Sequence, residues 1–325
     1  MEPIDLVRRL ADGNPHSGER LARAFGVSRA AVWKQMAKLK EWELEIHAVR
    51  GSGYRLSRSL DLLDVDALVA RCAQHCAAPI ERIEVFPALE STNRRLLGGP
   101  VPRPGALSAC VAEYQTAGRG RHGRRWHAPF GAGLCLSVAW QFAETPPDLA
   151  ALTLAAGVAI RRAVRQTAGV DVALKWPNDL VWDDRKLGGI LVELSGEAQG
   201  GCHVVIGLGL NVSMPRELLA SVCDWTRGAA DLAEASGSEP SRTVLAADAV
   251  AALGELLASY SRSGFAPYHR EWLAADYLGG KSIRFGPGTL GIARGIDADG
   301  ALRVETPEGA LRRVISGDVS IRPAV

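Results

Sequence analysis

Residues 113–126 read Glu113-Tyr114-Gln115-Thr116-Ala117-Gly118-Arg119-Gly120-Arg121-His122-Gly123-Arg124-Arg125-Trp126, three glycines interleaved with four arginines. Glycine lets the main chain turn through positive φ and come close to a ligand. Arginine offers a fixed fork of donors matched to phosphate or carboxylate oxygens. A loop that is both pliable and cationic suits closure over an anion. A solvated basic loop or a nucleic-acid patch would show the same string, because Gly/Arg-rich patterns are common. Other groups with chemistry to offer flank it. Glu90-Ser91-Thr92-Asn93 lies upstream, and downstream come Lys175-Trp176-Pro177-Asn178-Asp179-Leu180, Arg185-Lys186-Leu187-Gly188-Gly189 and Gly207-Leu208-Gly209-Leu210-Asn211-Val212.

Apolar runs at 106–112 and 134–140 make the Gly/Arg string a loop between two strands. A strand at 80–86 precedes Glu90-Ser91-Thr92-Asn93, which can cap a helix; a plain cap is sufficient reason for Ser91. Residues 149–167 form a long helix rich in Ala, Leu and Val. The stretch 180–194 reads as a hairpin around Asp183-Asp184-Arg185-Lys186, and 204–212 as an apolar strand. Lys186 at a hairpin end is ordinarily just solvated, and Lys175 and Asp179 form at most a surface ion pair of little worth. Glycines 207 and 209 inside a strand mark close approach of a ligand or main chain.

The first 60 residues form a different kind of module. Ser17-Gly18-Glu19 starts a helix, Phe25-Gly26-Val27 breaks it, and Ser28 caps another running to about residue 40, a helix-turn-helix. Ala31, Val32, Met36 and Leu39 face inward at helical spacing, leaving Arg29, Lys34, Lys38 and Lys40 for phosphates and base edges. Trp33 is open between core and groove. Two strands at 44–49 and 54–56, joined through Gly51-Ser52-Gly53 and flanked by Arg50 and Arg55, form a wing. This segment holds 11 Lys and Arg against 7 Asp and Glu, while the rest of the chain holds 27 against 29, so the basic excess sits here. A small interaction domain that binds no DNA is the alternative. After a linker at 57–64 and a helix to 77, the remaining pattern changes only at 281. From there short strands alternate with turns at Gly286-Pro287-Gly288, Asp297-Ala298-Asp299-Gly300, Pro307-Glu308-Gly309 and Ser316-Gly317, suggesting a small barrel.

No N-terminal signal pattern is visible, and no run reads as apolar for long enough to cross a bilayer; the best, 149–160, continues into Arg161 and Arg162. The expectation is a cytoplasmic protein. Six scattered cysteines read as buried reduced thiols. Cys72, His75 and Cys76 lack a second ligand pair at zinc spacing.

Taken in order, Glu90 to Asn93, Glu113 to Trp126, Lys175 to Leu180, Arg185 to Glu193 and Gly207 to Val212 resemble the biotin protein ligases. With the N-terminal module, the chain resembles their bifunctional branch, which also represses a biotin operon. The resemblance implies an α+β protein: a winged helix-turn-helix over 1–60, a mixed α/β, class II synthetase-like ligase domain over 61–275, and an SH3-like domain over 276–325. It implies ATP and biotin as substrates with Mg²⁺, giving biotinyl-5′-adenylate and then biotin on a lysine of the biotin carboxyl carrier protein. It implies operator DNA upstream of biotin synthesis genes as a partner, and a homodimer when the adenylate is bound.

Carried onto this sequence, the resemblance makes Arg119, Arg121 and Lys186 catalytic. It places Ser91, Thr92, Asn93, Gln115, Arg119, Gly120, Arg121, Lys186, Gly207 and Gly209 around biotin, with the ring flat against the glycine-bearing strand. It places Gly118, Arg121, Trp126, Trp176, Asn178, Asn211 and Trp225 around ATP or the adenylate, Trp225 stacking on adenine and Asn178 near phosphates or metal. Ser28, Arg29, Lys34, Lys38, Arg50 and Arg55 would meet DNA. His122 departs from the pattern, standing where the family carries another arginine, which puts adenylate retention in doubt. A lipoate-type ligase and a ligand-sensing transcription factor without ligase activity are the competing readings; a hydroxyl-and-amide cluster at 91–93 suits a neutral ureido ring better than lipoate.

Overall fold

The computed structural model describes residues 1–195, 201–220, 228–285, 289–315 and 322–323. In the first module α1 (Pro3–Leu10) precedes two serine-capped helices. Ser17 Oγ accepts from Arg20 N at 3.1 Å to open α2 (Gly18–Phe25), and Ser28 Oγ accepts from Ala31 N at 3.2 Å to open α3 (Arg29–Leu39). Gly26 ends α2 at φ 63, the left-handed geometry glycine adopts freely. Leu6, Val7, Leu10, Leu21, Val32, Met36 and Leu39 are buried together. β1 (Ile46–Val49) and β2 (Gly53–Leu56) pair antiparallel as the wing. Helix-turn-helix and wing are both as expected.

The central domain is a mixed sheet of seven strands. Along the chain come α4 (Val65–His75), β3 (Ile80–Leu89), α5 (Thr92–Leu97), β4 (Leu107–Gln115), β5 (Gly133–Phe142), α6 (Leu152–Ala168), β6 (Ala173–Lys175), β7 (Asp179–Trp182), β8 (Arg185–Ser195) and β9 (Cys202–Asn211). Two short helices, α7 (Arg216–Ala220) and α8 (Leu232–Ser236), and two more, α9 (Arg242–Ser263) and α10 (Ala266–Ala274), complete it. The strand order is β3-β4-β5-β9-β8-β7-β6, parallel between β3 and β4 and antiparallel elsewhere. Alternate residues of a strand face opposite sides. On β9, Ile206, Leu208 and Leu210 join the core with α6 and α9, which leaves Gly207 and Gly209 on the other face.

Three expectations are adjusted. The helix expected from 149 begins at Leu152 after a short turn of 3₁₀ helix over Leu149–Ala151. Asp183 and Asp184, at φ 48 and 56, form the hairpin tip, so Lys186 is the second residue of β8 rather than a solvated end. Finally, α9, with 22 residues and mean hydropathy 1.3, is long and apolar enough to cross a membrane, although 67% of that stretch is buried here as a core helix.

The C-terminal strands β10 (Ser282–Phe285), β11 (Thr289–Ile296), β12 (Leu302–Glu305), β13 (Leu311–Val314) and β14 (Arg322–Pro323) form a five-stranded antiparallel sheet ordered β13-β12-β11-β10-β14. Its expected turns at 297–300 and 307–309 are present, with Gly300 and Gly309 at φ 85 and 83. The turns expected at 286–288 and 316–317 lie outside the described residues. Trp176 Nε1 donates to Gly300 O at 3.0 Å, tying this sheet to the end of β6.

A buried ion pair joins the linker to the sheet and to α9. Arg242, 1% exposed, donates through Nη1 to Glu113 Oε2 and to Asp61 O, both at 2.7 Å, and through Nε to Gly133 O at 3.0 Å. The other Glu113 oxygen accepts from Leu63 N at 2.6 Å. Removing one partner of such a pair strands the other charge in the core, at about 3–5 kcal/mol. Arg242→Met should therefore lower the unfolding free energy of the central domain, read by chemical denaturation, by an amount in that range; a loss under about 1 kcal/mol would show the pair to be dispensable.

Candidate active site

On the Gly207 and Gly209 face of the sheet lies a cavity of about 340 Å³, lined by residues of α5, β4, β8, β9 and the 118–126 loop. One wall is a neutral hydrogen-bonding cluster. Gln115 Oε1 accepts from Thr92 N at 2.8 Å and from Thr92 Oγ1 at 3.2 Å. Ser137 Oγ lies 2.7 Å from Thr92 Oγ1 and donates to Asn93 Oδ1 at 2.5 Å. The Asn93 amide nitrogen donates to Glu193 Oε2 at 2.8 Å and Leu191 O at 3.3 Å. Thr92, Asn93, Gln115 and Ser137 are all buried, and they present hydroxyl and amide groups without net charge. Ser91 holds the N-cap position of α5, yet its hydroxyl makes no capping hydrogen bond and lines the cavity instead.

The cavity is also lined by cations. Lys186 Nζ lies 2.8 Å from Asp179 Oδ1 and 6.0 Å from the centre of the Trp126 ring. Arg121 lines the cavity half-buried; burial pulls its guanidinium below its ordinary value, and nearby Asp179 opposes that. The loop folds back on itself as a small hairpin, with Trp126 N donating to Gly118 O at 2.9 Å and Gly120 N to Arg124 O at 2.7 Å. Arg119 and Arg125 bridge across it. Gly118 stands at the neck and not in the cavity wall, and a Cβ there would lie 2.4 Å from Trp126 O. His122 sits at the tip at φ 55, a left-handed geometry in which histidine is enriched over most residues.

The structure brings together Ser91, Thr92, Asn93, Gln115, Arg119, Gly120, Arg121, Trp126, Asn178, Lys186, Gly207, Gly209 and Asn211 around this one cavity. Other expectations need correcting. Trp176 is 2% exposed and packs in the core, its indole nitrogen spent on Gly300, so it is not a wall of the cavity. The two glycines of β9 do not offer an empty floor: a Cβ at 207 would meet Asn93 Oδ1 at 2.2 Å, and one at 209 would meet the Trp126 indole at 2.4 Å. Their missing side chains make room for Asn93 and Trp126. Arg119 lines the cavity as expected and also pairs with Glu193, Nη2 to Oε1 at 2.8 Å, as Lys186 pairs with Asp179. Trp225 lies outside the described residues.

Sequence reasoning missed Ser137 and Glu193, the polar residues interrupting the apolar runs of β5 and β8; that interruption was the available signal. It also missed the joint behind the loop. His127 Nε2 lies 3.1 Å from Glu43 Oε2, Glu43 hydrogen-bonds Tyr114, and Trp42 stacks on Phe130 with centroids 5.4 Å apart. Burial and the Glu43 carboxylate push the Tyr114 hydroxyl up to about 12. Cys135, behind Gln115 and Trp126, is pushed by burial up to about 11, so it is a thiol and not a thiolate near neutrality. Cys72, Cys76, Cys110, Cys135 and Cys202 are not in disulfides, and Cys223 lies outside the described residues. Among the described residues no group of three or more His, Cys, Asp or Glu is placed to hold a metal.

On the first module, Ser28, Arg29, Lys34, Lys38, Arg50 and Arg55 are all exposed. Trp33 is resolved: it is 68% exposed beside Arg29 and Lys34 on α3, a helix with no acidic residue.

The family model described as the biotin/lipoate A/B protein ligase family matches residues 85–211, an HTH domain model matches 4–55, and a biotin protein ligase C terminal domain model matches 280–322. The bifunctional ligase/repressor BirA of Salmonella typhimurium is 38% identical, covering 99% of this chain and 98% of its own. That of Bacillus subtilis is 31% identical, covering 94% and 93%. A biotin protein ligase of Aquifex aeolicus in complex with biotin and ATP is similar in structure, with a TM-score of 0.61 at 26% identity over 76% of this chain and 99% of its own.

Because Trp126 rests where Gly209 has no side chain, Gly209→Ala should displace the indole that anchors the loop. Limited trypsin digestion should then cut among Arg119, Arg121, Arg124 and Arg125 several-fold faster than in the unaltered protein. An unchanged rate would mean that Trp126 is not the anchor.

Proposed function

The chain belongs to the bifunctional biotin ligase/repressor family, and on that premise we propose that it activates biotin with ATP, passes it to a carrier lysine, and uses the intermediate to control transcription. The observation that carries this reading is one cavity lined both by a neutral hydrogen-bonding cluster and by Arg121 and Lys186. A ureido ring needs donors and acceptors without charge, whereas a carboxylate meeting a triphosphate needs cations.

In the first step a biotin carboxylate oxygen attacks the α-phosphorus of ATP, the bond to the β-phosphate oxygen breaks, and biotinyl-5′-adenylate and pyrophosphate form. In the second the carrier lysine amine attacks the acyl carbon and AMP leaves. Neither step needs a protein nucleophile, and the protonated Cys135 thiol beside the site is consistent with that. Arg121 and Lys186 stabilise the charge that builds at phosphorus, and Asp179 holds Lys186 in place. Ser91, Thr92, Asn93 and Gln115 take the ring, with Gly120, Gly207 and Gly209 around the chain. Trp126, Asn178 and Asn211 serve the adenylate, with Gly118 as the hinge of the closing loop. Magnesium binds proteins through few carboxylates and mainly through substrate phosphates, so Mg²⁺ is expected to arrive with ATP. Asn178 donates its amide N–H to Ile190 O at 2.9 Å, which leaves its amide oxygen as the atom a cation would use. The working boundaries are 1–60 for the DNA-binding domain, 61–275 for the ligase domain and 276–325 for the C-terminal domain, in a cytoplasmic protein.

The carrier is the biotin carboxyl carrier protein of acetyl-CoA carboxylase. The regulatory partner is operator DNA upstream of biotin synthesis genes, read by a dimer formed when the adenylate is bound, with Ser28, Arg29, Lys34, Lys38, Arg50 and Arg55 at the interface.

Pyrophosphate release from ATP and Mg²⁺, with biotin, lipoate or octanoate supplied separately, tests the enzyme: release should need biotin, and Lys186→Ala should slow it by about 10²–10³-fold, as for loss of one preorganised charge. Release with lipoate instead would make the chain a lipoate-type ligase, and no release with any acid would leave a ligand sensor. For the regulatory half, Trp33→Ala should weaken binding to the operator by about 1–3 kcal/mol while leaving salt-dependent binding to unrelated DNA intact, as read by gel shift. Equal loss on both DNAs would show that Trp33 has no part in reading sequence.

A further inference from the structure

We propose that Glu193 is a positioning residue that links the ring-binding wall to the anion-binding loop through Arg119, which anchors the loop. The inference deepens the ligase reading and rests on it for the substrates named, but the geometry stands without them. Glu193 lies on β8 opposite Val205 of β9, on the cavity side, with a side chain 18% exposed. Its two oxygens are divided: Oε2 accepts from the Asn93 amide and Oε1 from the Arg119 guanidinium, both at 2.8 Å.

Asn93 is 4% exposed, and its Oδ1 is held by Ser137, so one end of the link is rigid. Arg119 belongs to a hairpin closed by its bridge to Arg125 and by the Gly118–Trp126 main-chain bond, so fixing Arg119 fixes the loop. An exposed ion pair usually contributes little, because two long side chains must be ordered to make it. Here the carboxylate is already ordered by Asn93, so forming the pair costs mainly the ordering of Arg119. A ligand that shifts Asn93 must disturb or tighten the hold on Arg119, which couples ring occupancy to loop order.

The test uses the full-length protein with Glu193→Gln, Arg119→Gln, the double variant and Arg119→Lys. Without any ligand, trypsin cleavage after Arg121, Arg124 or Arg125, sites that every variant keeps, should be about three- to fivefold faster in either single Gln variant, the range expected for losing one ion pair. The double variant should be cut no faster than the singles, and Arg119→Lys should recover most of the protection. In steady-state pyrophosphate release, the KM for biotin should rise by a similar factor while kcat changes little, the signature of positioning and not of chemistry. Because Arg119 is half exposed in a surface loop, its variants report even if Glu193→Gln folds poorly. Unchanged digestion in the Arg119→Gln variant, or additive effects in the double, would overturn the link. Digestion as expected in a protein that releases no pyrophosphate would keep the link and reject the ligase chemistry.

Discussion

A strand turns alternate residues to opposite faces, so positions 207 and 209 of β9 share the face opposite the helices, and both are glycine. Into that bare stretch press the Asn93 amide, from the helix after β3, and the Trp126 indole, from the end of the loop. Any side chain at either position would sit inside 2.5 Å of one of them. Glycine inside a strand lowers its stability by roughly 0.5–1 kcal/mol relative to alanine, and here the vacated space lets the polar wall and the cationic loop converge on one cavity. Asn93, with Ser137, Thr92 and Gln115, makes the neutral wall. Trp126 brings the arginine loop down on the other side, over Lys186. The meeting of a neutral polar wall and cationic side chains in one cavity depends on that close approach.

The same loop also touches the first module. Trp126 points into the cavity, and the next residue, His127, meets Glu43 at the end of the helix-turn-helix. Tyr114, on the strand that feeds the loop, bonds the same carboxylate, and Phe130, just after the loop, stacks on Trp42. Behind this joint the Arg242–Glu113 pair fastens the linker to β4 and α9. The arginine loop and the first module are therefore neighbours in packing although α4, β3, α5 and β4 separate them in sequence, the arrangement a protein would need in which an enzymatic intermediate reports to a DNA-binding surface.

Much of this was legible beforehand because the signals were local. Serine caps, the Gly26 turn and the alternation of the wing depend on short-range chemistry, and they appear where the residues place them. The motifs of the cavity were legible as a set, and thirteen of the residues they named line it. What was not legible depends on long-range packing. Nothing in Lys175-Trp176-Pro177 says that the indole will turn into the core to reach Gly300, more than a hundred residues on. Nothing around Glu193 alone says that it will meet Asn93 and Arg119, each from a different part of the chain. The role of Gly207 and Gly209 was read as ligand approach because sequence shows a missing side chain but not what fills its place. Trp33 was undecided for a related reason: helical spacing alone does not say how wide the buried stripe is.

The account stands on the cavity forming and holding an acyl-adenylate. The most direct measurement is to mix the full-length protein with biotin, ATP and Mg²⁺ without carrier, separate it from small molecules by gel filtration, and identify what it retains by mass spectrometry. The account predicts close to one biotinyl-5′-adenylate per chain, discharged as AMP when a biotin carboxyl carrier protein is added, with biotin appearing on the carrier lysine. Recovery of biotin and ATP unreacted, or of no bound ligand, would contradict it.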